Sequence, residues 1–155
     1  MAKLTDDRAR EILQPYLEDG ETIRHWCFGV RQPHLALLIA LIAIATIPGV
    51  IAVQLLTKNF LIALTNRRLI ILHIASPTNH RVKTMFEYTL AELDEVPVRS
   101  STGPLFTHLK IGEGSDCFRA KCARMFSKSN RSEAIAIATA IGGMEPVIRL
   151  ATAGA

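Results

Sequence analysis

Cysteine is scarce in this chain: Cys27, Cys117 and Cys122 are the only three among 155 residues. An odd number with no CxxC spacing excludes a disulfide framework and a cysteine zinc site, and fits thiols packed in a reduced compartment. Aromatic residues make up 6% of the chain. They give its basic stretches no stacking platform of the kind nucleic acid requires, so a nucleic-acid partner is not expected. The histidines (His25, His34, His73, His80 and His108) form no HExxH and adjoin no carboxylate pattern. Gly112-Glu113-Gly114 lacks the strand and Lys-Ser/Thr context of a phosphate loop, and no GxSxG or Cys-His arrangement occurs. The expectation is a protein that is not an enzyme, with no metal and no cofactor. The N-terminal stretch "MAKLTDDRAREILQPYLEDGE" has no apolar run of the signal-peptide kind, so any membrane targeting is expected from an internal segment.

The most consequential absence is charge between Pro33 and Leu56, in "PHLALLIALIAIATIPGVIAVQLL". The rest of the chain is mixed and basic, with a net charge of +4 and a pI near 9.2, which suits an anionic partner. Residues 5 to 18 predict an amphipathic helix with Thr5 as N-cap, Asp6 and Asp7 in the first turn, and Ala9, Ile12, Leu13, Tyr16 and Leu17 on one face. Pro15 is expected to kink or shorten it. After the Asp19-Gly20 turn, "ETIRHWCFGV" reads as a strand. Beyond the apolar segment, "NFLIAL" and "RRLIILHI" flank a tight Thr65-Asn66 turn, and a second turn falls at Pro77-Thr78-Asn79. "VKTMFEYTLAEL" reads as a strand ending near Glu92, followed by three short strand-like runs. A helix is expected to start at Asn130, with Glu133 completing a capping box, and to stop at Gly142-Gly143. Residues from Met144 onward carry little signal.

"NFLIALTNRRLIIL" resembles the hairpin of bacterial pleckstrin-homology-like domains, the YokE-like and GRAM-like group. Its most specific part is Leu64-Thr65-Asn66-Arg67-Arg68. "FEYTLAELDEVPV", the stretch from Leu105 to Ile141 and "LEDGETIRHWCFG" are similar to further parts of that family. The resemblance implies a mainly β fold, a seven-stranded bent antiparallel half-barrel capped by a C-terminal helix. It also implies a binding or scaffolding role without catalytic residues. The organisation expected is an N-terminal helix over 1–19 and the sheet domain over 20–142, interrupted by an apolar insert over 33–57 between the first two strands, with a tail over 143–155. On the residues alone, Asn66 tolerates left-handed angles, Thr65 can bond back to the turn, and one of Arg67 and Arg68 is expected to pair with Glu92 or Asp94.

The insert is apolar in every direction around a helix axis, which points to lipid. Candidate inserting residues are Leu35, Leu38, Ile39, Leu41, Ile42, Ile44, Ile47, Pro48, Gly49, Val50, Ile51, Val53, Leu55 and Leu56. A single span would separate the first strand from its sheet and leave an open edge. A hairpin turning at Pro48-Gly49 keeps both ends on one side, so it is favoured over a kinked span or burial in a soluble fold. Arg24, Arg31, Lys58, Arg67 and Arg68 are candidate headgroup contacts, and the basic excess from Arg99 to Arg131 suits the anionic cytoplasmic leaflet. The expected function is a membrane-held scaffold on the cytoplasmic side, self-associating and open to a membrane-protein partner. The alternatives are a soluble interaction module whose insert packs on a partner or a copy of itself, and a peripheral headgroup-binding domain.

Overall fold

The computed structural model describes residues 4–44, 46–76, 78–115, 117–142 and 147–148. Pro77 of the predicted turn, Asp116, the side chain of Leu35 and most of the tail lie outside the described residues. Helix α1 (Asp6–Leu13) starts where the Thr5 hydroxyl accepts from the Arg8 N–H at 3.4 Å. Pro15 lets it continue only as a 3-10 turn over Gln14–Tyr16.

The strands are β1 (Ile23–Arg31), β2 (Lys58–Thr65), β3 (Arg68–Ile74), β4 (Val82–Thr89), β5 (Val98–Thr102), β6 (Phe106–Ile111) and β7 (Phe118–Ala123). They form one antiparallel sheet in the order β4-β3-β2-β1-β7-β6-β5. Helix α5 (Asn130–Gly142) closes one face. This is a mainly β, open seven-stranded arrangement with a C-terminal helix, consistent with the pleckstrin-homology-like expectation. Beside β5 lies a two-residue parallel strand, β8 (Val147–Ile148), within the segment read from sequence as a C-terminal tail of little signal.

Both faces of the central strands are buried. On the inner face Cys27, Phe60, Ile62, Leu64, Leu69 and Ile71 meet Ala134, Ile137 and Ile141 of α5. On the outer face Trp26, Phe28, Val30 and Leu61 lie under Ala9 and Leu13 of α1. Two-sided burial explains why β2 and β3 read as nearly continuous apolar runs rather than alternating ones.

Two local expectations are corrected. The run expected to be strand as far as Glu92 is β4 only to Thr89, where helix α4 (Leu90–Glu95) begins. Thr89 and Glu92 form a reciprocal capping box, so Glu92 serves that cap and not an arginine. Asn130 does not cap α5. Its side chain, 1% exposed, accepts from the Phe28 N–H at 2.6 Å and donates to the Phe28 and Ala123 carbonyls, each at 2.8 Å. Glu133 contacts His25 Nδ1 at 2.9 Å. Asn130 therefore bolts α5 to β1 and the end of β7. Replacing Asn130 by Ala orphans these buried groups, and a loss of about 3 kcal/mol is expected in urea melts.

Candidate functional site

The LTNRR motif is a structural lock. Thr65 Oγ1 accepts from the Arg67 and Arg68 N–H groups at 3.1 and 3.0 Å and donates to Glu21 Oε1 at 2.7 Å. Asn66 has no positive φ. Its side chain instead ties the turn to the preceding segment, accepting from Thr22 N–H at 3.0 Å and donating to the Gly20 carbonyl at 3.4 Å. Arg68 grips Glu21 with Nε at 3.1 Å and Nη2 at 3.0 Å, and also pairs with Glu87. The expected carboxylate partner thus exists, but it is Glu21 and not Glu92 or Asp94. Arg67 lies more loosely, 3.6 Å from Glu18.

These arginines sit at the end of the sheet opposite the insert. In the β1–β2 register Ile23 opposes Thr65 at one end and Arg31 opposes Lys58 at the other. Of the five candidate headgroup contacts, Arg31 and Lys58 flank the insert, while Arg24, Arg67 and Arg68 belong to the far end.

From Arg31 and Lys58 the chain leaves the sheet as helices α2 (Leu35–Ile44) and α3 (Thr46–Leu56). They pack mainly on each other. Pro48-Gly49, the expected turn, lies inside α3 and not between the two helices. Pro48 occupies the first turn of α3, where its missing N–H costs nothing. Gly49 is buried at the crossing, and a Cβ there would stand 2.1 Å from the Leu41 carbonyl oxygen. Only glycine lets the backbones approach so closely. Replacing Gly49 by Ala is expected to prise the helices apart at a cost of about 1–3 kcal/mol, read as lost amide-exchange protection in α2 and α3.

Gly49 is the only buried residue in the described part of the two helices. Leu38, Leu41 and Val53 are half-buried, whereas Ile39, Ile42, Pro48, Val50, Ile51 and Leu56 are exposed. Ile44, Ile47 and Leu55 reach 85%, 75% and 80% exposure. Leu37, not among the expected inserting residues, is exposed with them. No helix among the described residues is long and apolar enough to cross a membrane.

Beside the root of α2 lies a cavity of about 580 Å³ on the outer face of β6 and β7. Cross-strand register brings Lys110 opposite Arg119 and His108 opposite Lys121, and Val30, opposite Lys121 across the β1–β7 seam, leads to Arg31. Arg31, His34, His108, Lys110, Arg119 and Lys121 line the cavity, with no carboxylate among the described lining residues. Burial and the Lys121 charge both push the His108 pKa down, favouring a neutral ring. The basic excess was legible in sequence; that its members share one cavity with Arg31 was not, because register decides it.

No family model matches the chain, and no curated protein matches it in sequence. Among solved structures it is similar to the hSac2 domain from human phosphoinositide phosphatase Sac2. That likeness has 11% identity over 88% of this chain and 81% of that one, with a TM-score of 0.46, too slight to say anything about ligand or activity.

Proposed function

We propose that this chain is a non-enzymatic, membrane-associated binding module. Its sheet domain rests on the cytoplasmic face, α2 and α3 dip into the bilayer as a short hairpin, and Arg31 and Lys58 meet the headgroups. The observation that carries this reading is the concentration of exposed Leu, Ile and Val on two helices in which, among the described residues, only Gly49 is buried. Scattered apolar residues are ordinary on a protein surface, but a contiguous patch rimmed by cations marks a membrane or a partner. At 10 and 11 residues the helices reach about 15 Å, half of a hydrocarbon core of about 30 Å. Entry and return on one side suit that length, and the β1–β2 pairing stays whole.

Self-association fits the same picture. Strand β4 ends the sheet in the described residues and exposes Met85 and Phe86, a free edge on which a second copy can pair. The deciding test is fractionation without detergent followed by a carbonate wash. Retention in the membrane pellet is expected. Release as a monodisperse protein would replace this reading with a soluble module whose insert packs on a partner.

A further inference from the structure

We infer that the cavity between the root of α2 and the outer face of β6–β7 is a binding site for a phosphomonoester anion. Like charges placed directly opposite each other on neighbouring strands destabilise a sheet. Here Lys110 faces Arg119, and on the far side of Lys110 the next strand presents Arg99. Arg99 is compensated by Glu113, at 3.3 Å. Among the described residues, no lining carboxylate offsets the cations within the cavity.

The arrangement suits a compact dianion better than a diffuse surface charge. Arg119, whose Nε donates to the Cys117 sulfur at 3.0 Å, keeps its two Nη groups for phosphate oxygens, Arg31 closes the cavity at the exit from β1, and Lys110 and Lys121 act as point charges. His108, favoured neutral by its burial and by Lys121, adds an N–H donor without further repulsion. Three separate segments supply these groups: the exit from β1, β6 and β7. They converge on a concave volume large enough for a phosphate and its substituent. The phosphate could stand on a lipid such as phosphatidic acid, entering from the bilayer beside the insert, or on a soluble molecule. The inference does not depend on the anchor, because the cavity is formed by the sheet and the first residues after it.

The test uses the full chain in zwitterionic detergent, titrated with inorganic phosphate by calorimetry. It is repeated by flotation on phosphatidylcholine vesicles carrying phosphatidic acid or, at matched surface charge, phosphatidylglycerol. The cavity variant is Arg119→Gln with Lys121→Gln. The control, Arg10→Gln with Arg124→Gln, removes the same charge elsewhere. Saturable binding of inorganic phosphate or of phosphatidic acid is expected, weakened about tenfold or more in the cavity variant and not in the control, the least that one lost charge-assisted hydrogen bond implies. Preference for phosphatidic acid over phosphatidylglycerol assigns the site to a lipid, and phosphate binding without that preference assigns it to a soluble ligand. Absence of saturation by both probes, or equal weakening in control and cavity variants, overturns the inference. The cavity variant should melt no lower than the wild type, since it relieves a like-charge cluster. If it does not fold, Lys110→Gln with Lys121→Gln serves in its place. A protein that leaves the membrane on washing but still binds phosphate would defeat the anchor and leave the cavity standing.

Discussion

Replacing Ile44 and Ile47 together by Asp is expected to lower the partition of this protein into phosphatidylcholine vesicles by about a thousandfold and to leave its melting temperature unchanged. Both side chains flank the reversal between α2 and α3, at 85% and 75% exposure. In the proposed orientation, with Arg31 and Lys58 at the headgroups, ten residues of helix would carry this tip about 15 Å inward, near the bilayer midplane. A carboxylate costs about 2.5–3.5 kcal/mol there; allowing for partial protonation and local water, about 2 kcal/mol each gives the thousandfold change. Unchanged melting separates this result from misfolding, because neither side chain belongs to a buried core cluster. Leu at both positions should partition like the wild type. Full retention of the Asp variant after a carbonate wash would sink the anchor, and a lowered melting temperature would mean that the tip packs on protein.

Legibility varied with the distance over which a residue acts. Signals acting within a few residues were readable: Thr5 caps α1, Pro15 shortens it, and Thr65 closes its turn. The α4 cap was equally readable, since Thr89 and Glu92 have capping-box spacing, but the β-rich residues before them carried the strand reading too far. Asn130 shows the opposite failure. Its sequence context is that of a helix cap, and only the fold reveals that the Phe28 backbone, 102 positions away in sequence, uses its amide. The insert's apolar character was plain from composition, while its reversal point was not. Pro48-Gly49 carries the strongest local turn signal, yet proline is harmless in a first helical turn and glycine is needed for close helix crossing. The basic cavity was legible only as a charge count, because the pairing of β6 with β7 and β7 with β1 decides which cations meet.

The other large effect is expected at Arg68. Replacing it by Met should cost about 3–5 kcal/mol in urea melts at neutral pH, since Glu21 would keep its charge in a buried site without its main partner. The side chain of Glu21 is fully buried and that of Arg68 is 13% exposed. Burial alone would raise the Glu21 pKa. Hydrogen bonds from Arg68, the Glu18 N–H and Thr65, with the Arg68 charge, outweigh it and hold the carboxyl at about 2. A folded-state pKa below the unfolded one means that this contribution is complete above about 4.5 and declines as pH falls towards 2. Wild-type stability should therefore fall across that acid window, and Glu21→Gln should remove part of the slope. In Arg68→Met the sign should reverse, because burial then dominates and protonating Glu21 relieves a buried charge. Glu21→Leu combined with Arg68→Met should recover a substantial part of the loss, as removing both charges leaves neither stranded. Melts of these variants at neutral pH and at about pH 3 decide the matter. Equal acid slopes in the wild type and Glu21→Gln would show that the Glu21–Arg68 pair does not govern acid stability.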